Sequence, residues 1–231
     1  MYKKYILIIL LISSVAFSQL HQLRKHQANE AKNIKYISAN IHLKNSYVDI
    51  ITNSTHRFIK SNGIPNHKVG KFPNKGNPHF ITPQKYSFKL NLNPKDLKEP
   101  YMIHENKSIP GLPFGIALNG VMFVPSTAEY WNGNQKLGWN YCALGKGIHL
   151  GLDENYAHVQ PNGSYHYHGV SNYFLENIII DKNNHSPIIG WAADGYPIYY
   201  VFGYNNKKEI INHTSGYQLK KGNRPLPPYG P

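Results

Sequence analysis

Cysteine is nearly absent. Cys142 is the single thiol in 231 residues, so no internal disulfide can staple the fold and small disulfide scaffolds are excluded. Following Trp139 and Tyr141, Cys142 is expected as a small buried apolar side chain, with a metal thiolate as the alternative. Long apolar runs are missing too: Ile6 to Ile12 is too short to span a bilayer, and no later stretch is apolar enough for stable membrane insertion. Acids are scarce, 12 against 25 Lys and Arg, yet the cations are scattered. Without a run of five or more like charges or an aromatic-interleaved basic motif, the excess argues against nucleic acid and for weak adhesion to anionic envelope polymers. No internal repeat and no long amphipathic helix is visible.

What is present begins with a targeting pattern. Lys3 and Lys4 precede the apolar Ile6 to Ile12, and Ala16-Phe17-Ser18 places small residues where a signal peptidase cuts. Residues 1–18 read as a signal peptide, with export to the periplasm, cell surface or medium. Its removal leaves 213 residues and lowers the net charge from +13 to +11, since it carries Lys3 and Lys4. Residues 19–35 are polar, lack an apolar stripe and read as a flexible lead-in. A single β-rich domain is expected over 36–231.

From Tyr36 onward, short apolar segments alternate with Asn, Gly and Pro: 48–52, 80–81, 86–92, 114–124, 178–180, 188–192 and 198–202. This spacing predicts a mainly β, sandwich-like fold with long loops and few or no helices. In Tyr86 to Leu92 the period is two, with Tyr86, Phe88, Leu90 and Leu92 on one face. The 18 tyrosines suit a core between sheets, where a ring is buried and its hydroxyl reaches a polar partner.

Ala157 to Gly169 reads as a β-hairpin. Pro161-Asn162-Gly163 suits a three-residue loop, a type I turn followed by glycine in the left-handed region. Gln160 then faces Ser164 and His158 stands opposite His166. Because alternate residues share a face, His158, His166 and His168 lie on one side, and Tyr165 and Tyr167 on the other. A two-residue turn at Asn162-Gly163 would shift the register and send His158 away. Three neutral imidazoles on a ribbon suit zinc or copper, with a fourth position for water, a carboxylate or a substrate. Candidate fourth ligands are His149, Asp153, Glu154 and Asp194. The alternative is tyrosines packed inward and histidines merely solvated. Asp194, before Gly195, is either a ligand or base, or a turn carboxylate bonding nearby amides. Glu129 sits among aromatics, paired at the rim of a cleft or aimed into it. His21, His26, His42, His56 and His213 read as surface residues.

The stretch His158 to Gly169, followed by Gly190-Trp191-Ala192-Ala193-Asp194-Gly195-Tyr196-Pro197-Ile198-Tyr199, closely resembles the YHYH domain, named for Tyr165-His166-Tyr167-His168. Gly76 to Gln84, Gly115 to Val121, Ala128 to Trp131 and Leu150 to Asp153 are similar to further family segments. The resemblance runs from about residue 70 to the end and implies an exported protein without an assigned reaction. It supports a site at His158, His166, His168 and Asp194. It also implies a further acidic stretch beyond Gly216-Tyr217-Gln218-Leu219, so the domain is expected to be incomplete at its C-terminus. Three functions follow as expectations: a metal-binding module; a metal-dependent extracellular hydrolase or oxidase with Glu129 or Asp194 as base, acting on an unidentified small molecule or polymer; or a metal-free polysaccharide-binding module.

Overall fold

The computed structural model describes residues 35–97, 99, 113–124, 127, 129–145 and 147–216. Residues 1–18, read above as a signal peptide, nearly all of the expected lead-in and residues 217–231 lie outside them. Thirteen short strands are described: β1 (Ile41–His42), β2 (Val48–Thr52), β3 (His56–Ser61), β4 (Lys68–Val69), β5 (Tyr86–Asn91), β6 (Gly115–Ala117), β7 (Met122–Phe123), β8 (Ala157–Val159), β9 (Tyr165–Tyr167), β10 (Ile188–Ala192), β11 (Pro197–Tyr199), β12 (Phe202–Tyr204) and β13 (Ile210–Asn212). Among the described residues, helix is confined to α1 (Asn172–Leu175) and two 3-10 turns, Trp131–Gly133 and Gln135–Leu137. Among the described residues, no helix is long and apolar enough to cross a membrane.

A six-stranded sheet, ordered β11-β10-β6-β7-β9-β8, carries the hairpin at one edge, and a three-stranded sheet, β2-β3-β5, stands beside it. The pairs are antiparallel except β7 with β9. The sheets meet as the layers of a sandwich. Ile59 and Leu90 of the smaller sheet pack with Ile116, Met122 and Val124, joined by Val48, Ile50, Tyr86, Phe88 and Trp191. The period-two face of β5 is therefore the one that faces the larger sheet. On the opposite face of the larger sheet, Ala117, Phe123, Ala157, Val159, Tyr165, Tyr167 and Ile189 build a second core, closed by Val69 and by Phe174 of α1. Serine caps that helix: the Ser171 Oγ accepts the Phe174 amide at 3.0 Å.

Three sequence expectations need correction. The 80–81 segment pairs in no strand, because Pro78 and Pro83 bracket it and proline cannot donate to a ladder; Phe80 is left 66 % exposed. The 178–180 segment turns instead of extending: the Ile178 amide closes onto the Leu175 carbonyl at 2.9 Å, and Ile179 points outward. Cys142 is exposed, because its neighbour Ala143 takes the buried position. The 114–124 run is two strands, folded back at Gly120 (φ +82°), where the Val121 carbonyl accepts the Ala117 amide at 2.8 Å.

Candidate metal centre

The hairpin turn sets the geometry. The Gly163 amide donates to the Gln160 carbonyl at 2.8 Å, the Gln160 amide to the Ser164 carbonyl at 2.9 Å, and Gly163 adopts φ +84°, as a type I turn closed by a left-handed glycine requires. The register that follows is Ala157 opposite Tyr167, His158 opposite His166 and Val159 opposite Tyr165. A slip of one residue would expose Tyr165, Tyr167 and Val159 and drive imidazoles into the core. Each large apolar side chain removed from burial forfeits roughly 1.5–3 kcal/mol, so the register is strongly specified.

His158, His166 and His168 converge. The His168 Nε2 lies 3.1 Å from the His158 Nε2 and 3.2 Å from the His166 Nε2, and the ligand atoms of all three lie within 4.8 Å of one another. Backbone carbonyls orient two of the rings. The His158 Nδ1–H donates to the Leu150 carbonyl at 2.9 Å, and the His166 Nδ1–H to the Ser164 carbonyl at 3.2 Å. A carbonyl can only accept, so both rings keep their proton on Nδ1 and turn an Nε2 lone pair toward the centre. His166 is 1 % exposed. Its burial pushes the imidazole well below its ordinary 6.5, helped by His158 and His168 and opposed by the Ser164 carbonyl. A proton on the His168 Nε2 would have to be shared between two lone pairs. A cation of Zn–N distance about 2.0–2.1 Å takes all three, and tetrahedral coordination at that distance sets neighbouring nitrogens about 3.3–3.4 Å apart. The cluster is able to hold a metal ion.

The surrounding loops frame the cluster. The Asn77 Nδ2 donates to the Val159 carbonyl at 2.8 Å and lies 3.4 Å from the His158 Nδ1. Gly76 lets the chain approach: a Cβ there would sit 2.3 Å from the Gly151 nitrogen and 2.4 Å from the His149 Nδ1. Tyr86 reaches across from β5 to bond the Ser164 Oγ at 2.5 Å.

The proposed fourth ligands do not join the three imidazoles. Asp153 is fully buried among four donors, the amides of Gly70 at 2.9 Å and Asn155 at 3.0 Å, the Asn155 Nδ2 at 3.1 Å and the Tyr165 hydroxyl at 2.8 Å. It therefore serves the tyrosine face. Burial pushes its carboxyl upward, against the pull of those donors. The Glu154 Oε2 accepts the Ala39 amide at 2.8 Å and ties down the chain before β1. His149 packs over Gly76. Asp194 is exposed and accepts the Tyr196 amide at 3.2 Å, the turn role. Glu129 is half-buried on a strip where its carbonyl accepts the Tyr141 amide at 2.9 Å.

Behind the imidazoles, both tyrosines of the motif have buried partners. Tyr165 holds Asp153. The Tyr167 hydroxyl donates to the His67 Nε2 at 2.5 Å and accepts the Asn119 Nδ2 at 3.0 Å, while the His67 Nδ1–H donates to the Lys68 carbonyl at 2.8 Å. Burial holds both phenols protonated. No local pattern marks His67, which is 100 residues from Tyr167; Asn77 does lie in a segment singled out by resemblance. Burial lowers the His67 pKa below 6.5, with the Lys68 carbonyl and Glu176 opposing. The unfolded chain therefore takes up this proton first as pH falls. Stability from the group is complete above the unfolded value and is lost as pH drops from about 6.5 through the folded pKa. His67→Gln, which cannot titrate, is expected to flatten that acid limb. Urea midpoints at pH 7 and 5 check it, and equal slopes for variant and parent would refute it.

No curated protein and no solved structure matches the chain. The profile of the YHYH protein family matches residues 87–230, more than half of the chain and inclusive of the hairpin. With its namesake Tyr165-His166-Tyr167-His168 folded as two buried phenols and two converging imidazoles, this chain belongs to the YHYH protein family.

Proposed function

We propose that this YHYH-family chain is an exported transition-metal-binding module. His158, His166 and His168 hold zinc or copper through Nε2, and a fourth position is left for water or an exogenous donor. The observation that carries the reading is the convergence of three Nε2 atoms with two of their lone pairs fixed by backbone carbonyls, the device that second-shell partners supply at metal-bound histidines. Export is supported by the order of charge, apolar run and small residues over 1–18. Binding is better supported than turnover, since neither Glu129 nor Asp194 belongs to the group of ligand atoms that lie together.

Equilibrium dialysis against Zn²⁺ or Cu²⁺ followed by metal analysis tests it. The chain is expected to retain one tightly held equivalent at the hairpin, and His166→Ala to lose it. Zinc at a hundred times its Kd is expected to stabilise the parent by about 2.7 kcal/mol and to leave His166→Ala unmoved at the same concentration. Equal loading and equal stabilisation of the two proteins would defeat the reading.

A further inference from the structure

We infer that a second, weaker transition-metal site lies at His185 and His213, beside Tyr199 of β11, where β12 pairs with β13. These two histidines are 28 positions apart in the sequence, and the fold brings both to Gly203. Ser186 anchors the first to β12: its amide donates to the Phe202 carbonyl at 2.8 Å, and its Oγ accepts the Phe202 amide at 3.0 Å. His213 follows β13, and its amide donates to the Val201 carbonyl at 2.8 Å. Between them stands Gly203. A Cβ on it would lie 3.1 Å from the His213 Nε2 and 3.6 Å from the His185 Nε2, so both ring nitrogens crowd one bare stretch of backbone.

The chemistry of the pair is that of ligands. The His185 Nδ1–H donates to the Ser186 carbonyl at 2.8 Å, which leaves its Nε2 with a lone pair, the arrangement seen at His158 and His166. Two tyrosines restrain the ring: Tyr199 meets it edge-on at 4.7 Å and 87°, and Tyr204 at 5.4 Å and 40°. A ring so held loses little further freedom on binding. Both histidines are exposed, so a hydrated ion can enter and keep waters or take a donor from a partner molecule. Two imidazoles with open positions favour Cu²⁺ over Zn²⁺, and two ligands bind less tightly than three.

This site stands independently of the hairpin reading, and its test separates the two. Cu²⁺ titrated into the full chain is expected to fill two sites, the second at least about tenfold weaker, a gap of about 1.4 kcal/mol. His185→Ala and His213→Ala should each abolish the weaker site and leave the tighter one. The His158, His166 and His168 triple alanine variant should keep one Cu²⁺, with electron paramagnetic resonance hyperfine structure from two imidazole nitrogens. Gly203→Ala, whose methyl would press within 3.1 Å of the His213 ring, should weaken the second site without touching the first. Unchanged weak binding in His213→Ala overturns the inference, as does a triple variant that binds no copper. A triple variant that keeps both ions overturns the hairpin reading alone.

Discussion

Asp153→Asn is expected to lower the unfolding free energy by about 3 kcal/mol, which for a chain of this size is a fall in Tm of roughly 6–12 °C. The side chain is fully buried and its Oδ2 alone accepts three donors, from Gly70, Asn155 and Tyr165. An amide of the same shape offers one oxygen and one N–H group. Whichever way it turns, a donor meets a donor, and buried donors without acceptors cost about 1–3 kcal/mol each. There is little room to relax, since Gly70 approaches so closely that a Cβ on it would lie 2.6 Å from the Asp153 Cβ. Thermal and urea unfolding followed by circular dichroism measure the loss. A comparison with Glu154→Gln, whose part-buried carboxylate accepts the Ala39 amide and bonds the Tyr173 side chain, should show the smaller loss, about 1 kcal/mol. Folded Asp153→Asn should still hold its hairpin metal. A loss under 1 kcal/mol, or selective loss of metal, would mean that the carboxylate serves the imidazoles and not the tyrosine face.

Gly163→Ala is expected to cost about 2–5 kcal/mol and to weaken metal binding with it. Two effects add. At φ +84° an L side chain costs about 1–2 kcal/mol. The new methyl would also fall 1.8 Å from the Thr82 Oγ1 and 2.9 Å from its Cβ, a clash worth about 1–3 kcal/mol. Thr82 runs beside the turn, its amide donating to the Gly163 carbonyl at 2.9 Å, so the loop cannot move aside without losing that bond. Thr82→Gly in the same chain should recover the steric part and leave the backbone strain. Turn and imidazoles are coupled because His158 reaches its partners only in this register. If the single variant kept full stability and metal affinity, the three-residue turn would not be what aligns the cluster.

Much of the hairpin was legible before any tertiary information. Alternation along Tyr165 to His168 separates phenols from imidazoles, and Pro161-Asn162-Gly163 selects the loop that brings His158 opposite His166, because turn chemistry and strand period act between near neighbours. The same local rules mark β2, β5 and β10, and with them the β-rich class. Where the rules weigh only composition they mislead: Ile178 to Ile180 is apolar enough for a strand but closes a turn, and Phe80 is held out of the sheets by flanking prolines. Proximity in sequence likewise placed Asp153 and Glu154 among possible ligands, although the packing of Gly70 and Ala39 against them decides their roles.

By itself, then, the sequence determined the strand faces, the turn and the family, all set by interactions a few residues long. Only the tertiary structure decided which groups surround them. His67 beneath Tyr167 and Asn77 beside His158 are brought together by sheet pairing and core burial, and His185 and His213 are brought to Gly203 by the pairing of β12 with β13. Those long-range contacts leave no periodic trace in the chain, because any residue that fills the space and satisfies the hydrogen bond can occupy the position.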